Sequence, residues 1–135
     1  MKKYYSIVHG EYDVKNKNRF QWRTRTVSGY IVDTVFGVRY EEKNLITKNG
    51  PGWRITHIPS GCLLVSTYFE TKEDAIKFAR ITRNLFGDLL KQADISLLRN
   101  AKKGSDDIRF HQFYELKEKL NNTTGTFSMD RIGEL

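Results

Sequence analysis

The stretch GWRITHIPSGCLL, residues 52–64, decides how the chain is read, because it crowds a histidine, a serine and the only cysteine together. It is either a reactive centre or a turn. Trp53 to Ile58 and Leu63 to Phe69 are both rich in β-branched and aromatic residues, the composition of strands. Between them Pro59 fixes φ, and Gly61 admits the left-handed backbone region. Alternation then places Trp53, Ile55 and His57 on one face, with Arg54, Thr56 and Ile58 on the other. A nucleophile at Ser60 or Cys62 would need His57 within hydrogen-bond reach and a third group to orient it. No G-x-S-x-G elbow accompanies them. His9, His57, His111 and Cys62 are scattered without the spacing of metal ligands. The stretch reads as a hairpin. The chain is expected to be non-enzymatic, with no catalytic residue, no metal and no cofactor.

Downstream of the hairpin, ETKEDAIKFARITRNLFGDLLKQ carries the clearest helical period. Thr71 is placed to cap the free amides, with Glu73 and Asp74 in the first turn, where the helix dipole favours acids. Ala75, Phe78, Ala79, Thr82, Leu85, Phe86 and Leu89 form the apolar stripe. Lys77, Arg80, Asn84 and Lys91 line the opposite face. Gly87 marks a kink or a close packing. ADISLLRNAKKGS continues that helix or forms a short second one. Ser105 then caps a last helix, DDIRFHQFYELKEKLNN, striped by Phe110, Phe113, Leu116 and Leu120.

Upstream, the chain is strand-like. YYSIV, residues 4–8, is a first strand, and DVKNKNR a polar connection. FQWRTRTVSGYIVDTVFGVRYEE is long enough for at least two strands, with Gly29 and Gly37 read as a turn or bulge and a second interruption. Alternation sets Phe20 and Trp22 opposite Arg23 and Arg25, and the two aromatics are expected in the core. KNLITKNGPG is a loop. Strands first and helices afterwards indicate an α+β fold: an antiparallel sheet of about four to five strands in the N-terminal half, packed by a main helix and a C-terminal helix. At 135 residues a single domain over 1–121 is expected, followed by a polar tail over 122–135. In that tail Phe127, Met129 and Ile132 could anchor to a neighbour.

Part of this pattern has a counterpart elsewhere. WRITHIPSGCLLVSTYFETKEDAIKFA, residues 53–79, resembles the hairpin and following F-x-T-K-x-E-A-x-x-x-A helix of small sheet-plus-helix DNA-binding domains, such as the arm-binding domains of phage-type integrases. The matching residues are Phe69, Thr71, Lys72, Asp74, Ala75 and Ala79, with Asp where Glu is usual. What the resemblance implies is a ββα order, in a fold that docks its sheet face on DNA. Its parts are a strand end, a cap and small helix residues, so it assigns no family.

The charge carries the functional argument. The chain has a formal net charge of +7, a sequence pI near 9.5 and a mean hydropathy of −0.59. Residues 1–30 hold seven lysines and arginines against two acids, so most of the excess lies there. A one-sign patch concentrates polyanions. No run approaches the ~20 apolar residues of a membrane-spanning helix. The N-terminus is basic but lacks an apolar core for a secretory signal. The lone cysteine fits a reducing compartment, so a cytoplasmic location is expected. Lys15, Lys17, Arg19, Arg23 and Arg25 are the expected contacts for nucleic acid or an acidic partner, with Lys77 and Arg80 on the main helix as further candidates. The leading expectation is a small basic protein that binds DNA, RNA or a nucleic-acid-handling complex, of a kind that suits a phage or mobile element. The alternative is an inhibitor or adaptor acting by protein–protein contact, as phage anti-defence or anti-CRISPR-like proteins do. No membrane partner is expected. A homodimer through the C-terminal helix or a sheet edge is compatible with the pattern.

Overall fold

The computed structural model describes residues 2–12, 15, 19–43, 50–100, 104, 106–121 and 126–129. Five strands run in chain order: β1 (Lys3–Tyr12), β2 (Phe20–Val32), β3 (Phe36–Glu41), β4 (Gly52–His57) and β5 (Cys62–Leu63). They form one antiparallel sheet in the order β1-β2-β3-β4-β5. Two main helices follow, α1 (Lys72–Phe86) and α3 (Ile108–Asn121), separated by a 3₁₀ turn at Leu89–Lys91 and a single helical turn, α2 (Ser96–Arg99). This is the α+β arrangement that the segregation of strand and helix periods indicated. No helix among the described residues is long and apolar enough to cross a membrane.

The sheet's two faces have different fates. In register, Phe36 faces His57 and Val38 faces Ile55, and this face is buried against α1. Thr71 caps α1 by accepting a hydrogen bond from the Asp74 amide at 3.1 Å. Ala75, Phe78, Ala79, Thr82 and Phe86 are buried along it, with Leu85 only partly covered. The helix stops at Phe86, and Gly87 keeps a right-handed helical φ of −38° at its C-cap rather than kinking a longer helix. Phe78 and Phe86 meet Phe113 of α3, with ring centroids 6.5 and 5.7 Å apart. For α3 the first described cap is Asp107, whose carboxylate accepts from the Arg109 amide at 2.9 Å. Ser105, expected as that cap, lies outside the described residues.

Gly29 and Gly37 are not turns. The connection between β2 and β3 is made at residues 33–35, where Asp33 (φ 52°) and Thr34 (φ 64°) take left-handed backbone, as tight hairpins require. The glycines lie inside strands because Tyr5 of β1 crosses them. A Cβ on Gly29 would sit 2.6 Å from the Val38 carbonyl oxygen and 2.8 Å from the Tyr5 hydroxyl, and one on Gly37 would run into the Tyr5 ring. The first strand is thereby folded over the face of β3 and β4 that α1 leaves uncovered. Near its middle, the Val8 amide donates to the Gly61 carbonyl at 2.7 Å, bringing the β4–β5 turn against β1.

The second hairpin arm is shorter than its composition suggested. Only Cys62 and Leu63 pair in the ladder, opposite His57 and Thr56. The chain then bows outward and returns at Phe69, which exchanges two 2.8 Å backbone hydrogen bonds with Trp53. Arg54 fills the bow: its guanidinium donates to the Ser66 carbonyl at 3.5 Å and lies over the Tyr68 ring at 4.3 Å. Beyond residue 121, Phe127 is fully buried and forms a parallel bridge with Phe69. Met129 is buried as well. Both residues thus anchor on the chain's own core, whereas Ile132 lies outside the described residues.

Candidate functional site

Basic residues of the N-terminal third sit on the β1–β2 ribbon. β2 pairs with β3 only over Tyr30–Val32, whereas it pairs with β1 from Phe20 to Gly29. The outer half of the ribbon therefore has no layer packed beneath it. Arg23, Thr24, Arg25 and Thr26 are all exposed, on both faces. So are Lys15 and Arg19, while Lys17 lies outside the described residues. Arg23 and Arg25 occupy alternate positions opposite His9 and Ile7, about 7 Å apart at two-residue strand spacing.

The aromatics of this ribbon differ from expectation. Trp22 is 71% exposed and Phe20 46%, in place of the core positions read for them. Alternation assigned them to the correct common face, but a face is buried only where a second layer covers it. The two rings meet edge to face with centroids 5.0 Å apart. Trp22 thus stands in solvent on the same strand as Arg23 and Arg25, at a position of opposite alternation.

Lys77 and Arg80 are elsewhere. They lie on the exposed side of α1, which packs on the sheet face opposite Arg39 and Arg54. Arg80 and Arg83 reach Asp33 in the β2–β3 turn, at 4.0 and 3.0 Å. The structure brings Arg25 towards the concave face of the sheet and leaves the α1 bases as a separate strip.

That concave face holds a cavity of about 430 Å³, lined by residues of all five strands and by Gly61. Arg39 and Arg54 are directly opposite each other on β3 and β4, a juxtaposition of like charges that costs stability unless an anion intervenes. Glu41 is that anion. It accepts from Arg39 at 2.8 Å, from Arg54 at 3.5 Å and from the Tyr68 hydroxyl at 3.3 Å. Arg54 also donates to the Tyr68 oxygen at 2.9 Å. Burial raises the Tyr68 phenol above its ordinary value, with the Arg54 charge opposing. Burial likewise pushes Tyr5 up to about 12, against the pull of the Arg39 charge and the neighbouring Thr56 hydroxyl. Both phenols stay protonated donors at neutral pH. The Nε donors of Arg39 and Arg54 are buried with no hydrogen-bond partner, and such a donor costs about 1–3 kcal/mol. Sequence reasoning missed this group. Gly37-Arg39-Glu41 and Arg54-Thr56 do alternate, but their meeting depends on the register between β3 and β4, which neither stretch announces by itself.

His57 and Ser60 meet as well, though not as an accessible pair. The imidazole is fully buried. Its Nε2 faces the Leu90 carbonyl at 2.6 Å and its Nδ1 the Ser60 hydroxyl at 2.7 Å. A carbonyl only accepts, so Nε2 carries the proton and Nδ1 accepts from Ser60. Burial lowers the His57 pKa, with the Leu90 hydrogen bond opposing. The Ser60 oxygen also accepts from the Cys62 amide at 3.2 Å, an arrangement that pins the turn. Among the described residues no group of three or more His, Cys, Asp or Glu side chains is placed to hold a metal ion. No family model, curated protein or solved structure matches the chain, so any functional reading rests on this surface chemistry.

Proposed function

We propose that the chain is a nucleic-acid-binding module and that the β1–β2 ribbon is its contact surface. The observation that carries the reading is Trp22, 71% exposed on a strand whose next residues include Arg23 and Arg25. A solvent-facing indole costs hydrophobic stabilisation. It gains a role when a base stacks on it, and base–aromatic stacking contributes about 1–3 kcal/mol per base. Arg23 and Arg25 recur at about the spacing of strand residues on one side, ~7 Å, close to that of successive phosphates. Lys15 and Arg19 extend the positive surface towards the ribbon tip. Single-stranded DNA or RNA suits this combination, because stacking needs unpaired bases and phosphate contacts are independent of sequence. The net charge of the first thirty residues supports the same reading, and a reducing cytoplasm accords with the free thiol of Cys62.

Titration with an unstructured oligonucleotide tests it through tryptophan fluorescence and anisotropy. Binding is expected to quench Trp22 and to weaken linearly in log–log with salt, with a slope of about −0.7 per phosphate neutralised. Trp22→Ala lowers affinity by about tenfold, the equivalent of one stacked base. An Arg19/Arg23/Arg25→Ala variant lowers both affinity and salt slope. Absence of any complex with DNA or RNA at low salt rejects the proposal.

A further inference from the structure

The geometry points to a second site, which adjoins the ribbon surface and shares Trp22 and Arg25 with it: the cavity between β1, β2 and the concave faces of β3 and β4 binds a phosphomonoester of nucleotide size. Three guanidiniums line it, from Arg25, Arg39 and Arg54, against the single carboxylate of Glu41. The buried pair Arg39 and Arg54 exceeds Glu41 by one positive charge, and the exposed Arg25 adds a second at the rim, a total that matches a phosphomonoester dianion better than a monocarboxylate. Charge left uncompensated in a partly buried place calls for a counter-ion. The Arg39 side chain is only 10% exposed, commits Nη2 to Glu41 and leaves Nε without a partner. Arg54 is 13% exposed, and its Nε is also unspent. A guanidinium fork is suited to phosphate oxygens, which accept two parallel hydrogen bonds.

The rest of the lining suits the organic part of such a ligand. Ile7, Val8 and Leu63 supply apolar wall, and Trp22 contributes an aromatic surface. The volume, about 430 Å³, falls in the range of small-molecule sites. Tight internal packing fixes the arginines before a ligand arrives: Tyr68 stacks under Arg54, and Tyr5 lies over Gly37 beside them. This site stands whether or not the ribbon binds nucleic acid. Its ligand chemistry has two sources, a free mononucleotide and the phosphorylated end of a strand.

Calorimetric titration of the full chain at low ionic strength with AMP, adenosine and inorganic phosphate tests the site. AMP is expected to bind saturably, phosphate more weakly, and adenosine not at all below ~10 mM. Arg25→Ala, at an exposed position where folding is not at stake, weakens AMP by about tenfold. Glu41→Gln removes the competing anion and tightens AMP by about threefold or more, the opposite of what a merely structural carboxylate would show. Lys91→Ala, which deletes a positive charge on the 3₁₀ turn, leaves AMP affinity unchanged. A 5′-phosphorylated oligo-dT that outcompetes both AMP and its 5′-hydroxyl counterpart assigns the site to strand ends. Equal competition by AMP assigns it to free nucleotides. Equal affinity for AMP and adenosine, no saturable AMP binding, or no tightening in Glu41→Gln overturns the inference.

Discussion

His57 shows how one side chain can look reactive in sequence and act as a fastener in structure. The alternation of β4 sends its ring to the α1 side of the sheet, where it is sealed between Ser60 and the Leu90 carbonyl. Hydrogen-bond reach to Ser60 was not legible, because it depends on how the Pro59–Gly61 turn curls back. The partner at Leu90 was not legible either, being 33 residues away in sequence. Burial holds the folded-state pKa of His57 below its ordinary 6.5. In the unfolded chain the imidazole titrates near that ordinary value. The unfolded state thus binds the proton more readily, so His57 contributes stability above about pH 6.5 that is lost as pH falls towards its folded pKa. Urea titrations between pH 8 and pH 5 should show stability falling below pH 6.5 and the fall should be smaller in His57→Gln. An identical slope in the variant would assign the effect to another group.

At the scale of elements, the strands and α1 were legible because their periods are long and clean. The turns were less so. Two glycines drew attention to positions 29 and 37, yet the left-handed residues are Asp33 and Thr34. The glycines answer a different demand, the crossing of Tyr5 over β2 and β3, which no local pattern announces. Thr34 offers a direct test. It is exposed and β-branched at φ 64°, a conformation that such a residue disfavours and glycine tolerates. Thr34→Gly is therefore expected to stabilise the chain by about 0.5–1 kcal/mol in chemical denaturation. A loss of stability would mean that the hydroxyl or methyl of Thr34 makes a contact that outweighs the backbone strain. The same lesson covers Phe20 and Trp22. Their common face followed from alternation, but its exposure followed from which elements stop short of it.

For the molecule as a whole, the α+β class was readable from the order of strand and helix signals, and the ribbon's charge from simple counting. The arginine cavity was not, since it assembles from five strands whose mutual register spans the chain from Ile7 to Leu63. Completion of the core is equally non-local. Phe127 stacks edge to face on Phe69 at 6.0 Å, donates its amide to the Tyr68 carbonyl and accepts from the Glu70 amide on either side of Phe69, and is 2% exposed. Phe127→Ala should cost about 3–5 kcal/mol, as for other buried phenylalanines. A loss below 1 kcal/mol in urea unfolding would show that the core closes without it.

The Phe69–Phe127 bridge also sets an order of events during synthesis. Sheet neighbours and α1 are all made early, in a meander whose hairpins are local. The last aromatic of the cluster arrives 58 residues after the one it covers. A nascent chain that has emerged only as far as Asn121 still presents Phe69 uncapped by Phe127. Translation and tertiary closure are therefore separated in time, and a growing chain can show its native hairpins well before it resists a protease.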